Sequence, residues 1–168
     1  MKIARVFPRK TVATPDDELA FVGAPPKILL DIDVVHISVT FSYDVERAEQ
    51  LAEVWHKVGI PVKIGGVAMG DKGGIFVPGR YLRKGYVITS RGCPNHCALC
   101  TVPAREGDLR ELPITEGHNV CDSNILACSE KHIRGVFAML KNQPERPIFT
   151  GGLEKKLLRS WHVVPCKV

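Results

Sequence analysis

The sequence contains no run approaching the roughly 20 consecutive apolar residues of a membrane-spanning helix, so no membrane partner is expected. Its start, Met1-Lys2-Ile3-Ala4-Arg5-Val6-Phe7-Pro8-Arg9-Lys10, lacks the long apolar core of a secretory signal, which points to the cytoplasm. Internal repeats and low-complexity tracts are absent. Charge of one sign is also scarce. The net charge of +5 is scattered over short clusters (Arg9-Lys10, residues 80–84, Lys155-Lys156), and no continuous basic stripe marks a nucleic-acid partner. With 45% hydrophobic and 24% charged residues, the composition is that of a soluble globular protein and not a disordered one. The 168 residues allow one domain or two small ones.

What is present begins with an α/β pattern. Residues 28–66 read as a strand–helix–strand unit. Val35, Ile37, Val39 and Phe41 alternate with Val34, His36, Ser38 and Thr40, as on the two faces of a strand. A helix is predicted from about Asp44, with Ala48, Leu51, Ala52, Trp55 and Val58 at helical spacing and Gly59 as its stop. Pro61-Val62-Lys63-Ile64 makes a second strand, and residues 1–7 offer another. Such a unit forms a parallel sheet by a right-handed crossover. The glycine-rich residues 65–79 fit neither G-x-G-x-x-G nor the Walker spacing, so they read as a connection and not as a phosphate loop.

The second half starts with a predicted strand at residues 86–90, then a short strand and exit within residues 119–127. Ser129 is placed to cap a helix with Ile133, Val136, Phe137 and Leu140 on its buried stripe, ended by Pro144. A strand at residues 147–150 turns at Gly151-Gly152. The expected domains are residues 1–79, a small Rossmann-like parallel sheet, and residues 80–168, the first units of a partial β/α barrel.

Six cysteines in a chain without a secretion signal indicate metal binding in a reducing compartment more than disulfides. None precedes Cys93. The run Arg91-Gly92-Cys93-Pro94-Asn95-His96-Cys97-Ala98-Leu99-Cys100 then holds three in a C-x3-C-x2-C array on a loop opened by Gly and Pro. Three soft thiolates favour an iron–sulfur cluster or zinc over calcium or magnesium. Closed sites of either kind usually take four protein ligands, so a four-iron cluster here would keep one iron open. The competing reading is a zinc knuckle completed by His96 or by another thiol.

The array resembles the cluster loop of the radical S-adenosylmethionine (SAM) enzymes, and on it the chain is identified as a member of that superfamily. Thr89-Ser90-Arg91-Gly92-Cys93-Pro94 and Val102-Pro103-Ala104-Arg105-Glu106-Gly107 are similar to the branch containing the tRNA methylthiotransferases and the cobalamin-dependent radical enzymes. The resemblance implies that Cys93, Cys97 and Cys100 ligate a [4Fe-4S] cluster, that the open iron takes the amino and carboxylate groups of SAM, and that a flavodoxin- or ferredoxin-type donor supplies an electron. It further implies homolytic cleavage of a SAM C–S bond, followed by hydrogen abstraction from an unknown substrate. Leu99 stands where the family usually carries an aromatic residue near the adenine.

Two segments are candidates for the SAM amino group. Gly151-Gly152-Leu153-Glu154 resembles the family's G-G-E turn, interrupted by Leu153, and Asp122-Ser123-Asn124 resembles the acidic strand end of cobalamin-type members. An ammonium facing Asp122, Asn124 or Glu154 would form a charge-assisted hydrogen bond, and chain order favours Asp122 and Asn124, which end the first strand after the cysteine loop. Cys121 and Cys128 read as small buried hydrophobes, and Cys166 stands apart. Asp33-Val34-Val35-His36-Ile37-Ser38-Val39 and Pro61-Val62-Lys63-Ile64-Gly65-Gly66 resemble a cobalamin-binding module, but the D-x-H-x-x-G loop is absent and His36 reads as a packed strand residue. From Tyr86 onward the chain holds fewer β/α units than the family's barrel, so a truncated barrel is expected, completed by a partner or by self-association across an open edge. A non-catalytic iron–sulfur or zinc module is the alternative function.

Overall fold

Ile3–Phe7 (β1), Ala20–Val22 (β2), Val34–Ser38 (β3) and Val62–Gly65 (β4) form one sheet in the order β2-β1-β3-β4, with every pair parallel. These coordinates come from a computed structural model that describes residues 1–27, 31–71, 73–74, 76–95 and 97–163. The predicted strand start at residues 28–30, His96 and Cys166 lie outside the described residues. By its contacts the chain divides into two units, Met1–Arg83 and Lys84–Val168. The chain is mixed α/β, and among the described residues no helix is long and apolar enough to cross a membrane.

In the first unit all five residues of β3 are buried, which suits a central parallel strand covered on both faces. One face carries Val35 and Ile37 against Val45–His56 (α1), whose Ala48, Leu51, Ala52 and Trp55 are buried at the predicted spacing. The indole N–H of Trp55 also donates to the Gly23 carbonyl at 3.0 Å. Val58 departs from its expected place. The N–H groups of Val58 and Gly59 close a turn onto Trp55 and His56, so Val58 falls beyond the helix and is exposed. The other face presents His36, whose Nδ1 lies 2.7 Å from the Tyr81 hydroxyl and whose ring packs on Phe76. Burial, with Lys63 and Arg80 nearby, pushes the His36 imidazole below its ordinary pKa. Phe76 lies so close to Gly65 that a β-carbon there would enter its ring, which gives the glycine that ends β4 a packing role.

The second unit is built from Tyr86–Val87 (β5), Ser90–Arg91 (β6), Val102–Glu106 (α2), Arg110–Glu111 (β7), Asn119–Val120 (β8), Glu130–Lys141 (α3) and Ile148–Phe149 (β9). β5, β8 and β9 form a parallel sheet in that order, and β6 pairs antiparallel with β7. The single strand predicted over residues 86–90 is therefore two. The Asp122 carboxylate accepts from the Thr89 N–H and hydroxyl, both at 2.6 Å, and from the Ser90 hydroxyl at 2.8 Å. These side-chain acceptors take the place of a ladder partner, and the chain turns out of the sheet. Ser129 caps α3 as predicted, accepting from the His132 N–H at 3.2 Å. Ile133, Val136 and Leu140 bury against Val87, Val120, Ile125 and Leu126. The helix ends at Lys141, ahead of Pro144, because the Asn142 N–H closes onto the Leu140 and Met139 carbonyls.

Candidate functional site

The cysteine loop leaves β6 and returns through α2, and one carboxylate ties its two ends together. Glu106, at the end of α2, is 2% exposed. It accepts from Arg91 Nη1 at 3.1 Å, the Gly92 N–H at 3.2 Å, Arg105 Nη2 at 3.3 Å and the Ser123 hydroxyl at 2.5 Å. Burial pushes its carboxyl up, but the Ser123 hydrogen bond, Arg91, the Gly92 N–H and Arg105 together hold it below the ordinary carboxylate range. Gly92 has φ +83°, and a β-carbon there would collide with the Asp108 carbonyl. Glycine is required at the point where the loop starts.

Within the loop Cys93 is half-buried, whereas Cys97 and Cys100 are exposed. The Cys100 N–H donates to the Cys97 carbonyl at 3.0 Å, closing a turn that carries both thiols. Leu99 projects from that turn, 98% exposed. Among the described residues no three His, Cys, Asp or Glu side chains are gathered tightly enough to hold a metal ion.

The segments singled out for SAM converge on this loop. Asn124, just after β8, is 4% exposed, and its Nδ2 lies 3.4 Å from Cys93 Sγ and 3.1 Å from Glu154 Oε2. Asn95, inside the loop, donates to the same Glu154 oxygen at 2.6 Å. The hydrogen bonds from Asn95 and Asn124 hold the Glu154 carboxyl below its ordinary pKa. Gly151 and Gly152 follow β9 and run against the backbone of residues 122–123. A β-carbon on Gly151 would strike the Asp122 carbonyl, and one on Gly152 the Ser123 carbonyl. The Gly152 N–H meanwhile donates to the Asp122 carbonyl at 2.8 Å. The glycine pair thus lets the turn after β9 approach the turn after β8, which brings Glu154 to Asn124.

Asp122 occupies a different position from Glu154. It is 1% exposed, and its carboxylate is taken up by Thr89 and Ser90, so it braces the fold beneath the loop. Cys121 is half-buried with Sγ 3.2 Å from the Thr150 hydroxyl, and Cys128 is buried in the core of the unit. Burial pushes both thiols up. Neither belongs to the loop.

Arg91, Asn95, Glu106 and Ser123 carry no role in the sequence pattern, although all four lie inside segments that it picks out. Apart from the neighbouring Arg105, their partners are 14 to 59 positions away, and sequence spacing does not encode such contacts. Around the loop, three buried side-chain atoms have no hydrogen-bond partner among the described residues: Arg91 Nε, Arg105 Nε and Asn124 Oδ1. Buried polar atoms are nearly always paired, which sets these three apart from the other side chains around the loop. Comparison with known proteins adds no relative: no family model matches the chain, nor does any curated protein or solved structure.

Proposed function

We propose that this chain is a radical SAM-type iron–sulfur protein. In this reading Cys93, Cys97 and Cys100 hold a [4Fe-4S] cluster, and Glu154 with Asn124 receives the ammonium of SAM. The observation that carries it is the convergence of the cysteine loop, Asn124 and Glu154, with the Asn124 amide nitrogen facing both Cys93 and Glu154 and Asn95 bonded to the same Glu154 oxygen. Glu154 offers a carboxylate below its ordinary pKa and Asn124 a free carbonyl, a pair of acceptors suited to a cation with several protons. A zinc ion would need its ligand sulfurs drawn to within about 2.3 Å of one centre. A cube would spread the same thiolates over three irons. A cluster held by Cys93, Cys97 and Cys100 would supply, when reduced, one electron for cleaving a sulfonium C–S bond. The protein's own contribution is to close the loop through Glu106, orient the ammonium through Glu154 and Asn124, and donate to the Cys93 sulfur. A flavodoxin- or ferredoxin-type protein is the proposed electron donor.

We read β2-β1-β3-β4 as a Rossmann-like unit. β5-β8-β9, with α3 linking the last two strands, we read as the opening units of a β/α barrel. If cobalamin binds the first unit, it does so without His36, which is buried and bonded to Tyr81. Anaerobic reconstitution tests the cluster. About four irons per chain with brown charge-transfer absorption is expected, and both should be lost in the triple Cys93, Cys97 and Cys100→Ala variant. Stoichiometric zinc with no iron uptake would overturn the assignment in favour of a zinc module.

A further inference from the structure

The strand order of the first unit contains a switch point. From β1 the chain passes to β2 on one side, then returns to β3 on the other, so the connections diverge at the carboxyl ends of β1 and β3. In open parallel sheets ligands bind in the crevice at such a point. Here the crevice is a cavity of about 140 Å³, bounded by Phe7 at the end of β1, Ser38 at the end of β3, and residues that follow each strand. An apolar cavity of about 150 Å³ takes up one benzene ring, so the space matches a single six-membered ring.

Two of its aromatic walls are held from behind. Tyr81 has its ring stacked on Phe76 at 5.1 Å and its hydroxyl 2.7 Å from His36 Nδ1. Phe41 stacks on Tyr43 at 5.1 Å with the planes 5° apart. Rings fixed before a ligand arrives cost little further ordering. Arg9 and Asp44, the ionic pair in the lining, satisfy each other: Arg9 Nε and Nη2 donate to the Asp44 carboxylate at 2.7 and 2.8 Å. The Thr11 and Thr14 hydroxyls are likewise paired, 3.0 Å apart. Ser38 and Thr40 remain. Both lie on the His36 side of the strand by alternation, and neither hydroxyl is engaged by another side chain among the described residues.

We propose that this cavity binds an uncharged pyrimidine base, its ring against the aromatic walls and its polar edge on the Ser38 and Thr40 hydroxyls. A hydroxyl both donates and accepts, so the pair serves the amide edge of uracil and the amidine edge of cytosine alike. With Arg9 and Asp44 neutralising each other, the lining offers no unpaired charge to a charged ligand. The site lies within the first unit and asks nothing of the cysteine loop, so it stands or falls apart from the cluster reading.

Amide NMR titration of the full chain with uracil, uridine and phenol tests the assignment. Uracil is expected to shift residues 7–14, 38–44 and 81–82, with a Kd of about a millimolar, the scale of a ligand this small. Uridine binding as well as uracil would support the site and identify nucleosides as its source of bases, whereas binding of uracil alone would support it for free bases. Thr40→Val, an exposed and isosteric change, and Ser38→Ala should each weaken uracil about tenfold and leave phenol unaffected. Ala13→Leu, which fills the cavity, should abolish both in a chain whose thermal unfolding shows it folded. Phenol binding as tightly as uracil, uracil binding unchanged in Thr40→Val and Ser38→Ala, or no shift in these residues at about ten times that Kd would each overturn the proposal.

Discussion

Asp122 and Glu154 are both acidic residues one turn beyond a strand, and both follow or precede a glycine-rich or polar step that suits an ammonium. Chain order favours Asp122, at the end of the first strand predicted after the cysteine loop, but the choice depends on what else reaches each carboxylate. Asp122 is met by the Thr89 N–H and by two hydroxyls, all from the start of the loop, and is sealed from solvent. Glu154 is met by two side-chain amides beside Cys93 and keeps capacity for a cation. The two alanine variants should therefore fail in different ways. Asp122→Ala strands buried donors at about 1–3 kcal/mol each and should lower thermal stability even in the metal-free protein. Glu154→Ala should leave stability near wild type and weaken SAM binding by about tenfold or more, the scale of a lost charge-assisted hydrogen bond. Isothermal titration and thermal unfolding of both variants separate the roles. A Glu154→Ala protein with unchanged SAM affinity would remove this residue from the site.

The β6–α2–β7 element shows why part of the site was legible and part was not. Cys93, Cys97 and Cys100 are contiguous in sequence, so their shared loop could be read from spacing alone. The strand before them is shorter than its sequence pattern predicts, since Thr89 and Ser90 answer to Asp122, 33 and 32 positions downstream. Glu106 was invisible as a brace for the same reason: its role exists only once Arg91, Gly92 and Ser123 surround it. Helix α3 was readable nearly end to end, because its cap and stripe are local features. Removing the Glu106 carboxylate leaves the Arg91 guanidinium partly buried without its partner, a loss of about 3–5 kcal/mol for a broken buried pair. Urea unfolding of Glu106→Ala should show a loss of that size, and hydrogen exchange should place the opening in residues 90–111. The Glu106 carboxyl sits below its ordinary pKa in the folded chain. Its contribution is thus fully present above the ordinary carboxylate range and is lost as pH falls through the lowered folded value. Glu106→Gln should flatten that acid limb of the stability curve. An unaltered acid limb would show that the carboxylate charge is not what holds the loop.

Across the whole chain, both units are organised around parallel strands whose C-terminal ends carry the polar and glycine-rich turns, the place where open α/β sheets hold ligands. In the first unit that edge borders a cavity of about 140 Å³ lined by Phe7, Ser38, Thr40, Phe41 and Tyr81. In the second it carries the cysteine loop, Asn124 and Glu154. The parallel pairing was legible from strand–helix–strand periodicity. The short edge strand β2 was not, because three residues give no alternation to read. What sets the proposed function apart from a structural metal module is the open iron, since a closed site has no position left for SAM. EPR of the reduced, reconstituted protein with and without SAM tests that point most directly. A SAM-dependent change in the g values of the [4Fe-4S] signal, absent from Glu154→Ala at the same SAM concentration, is the expected result. An identical cluster spectrum at saturating SAM would contradict an open iron and leave the loop as a closed metal site.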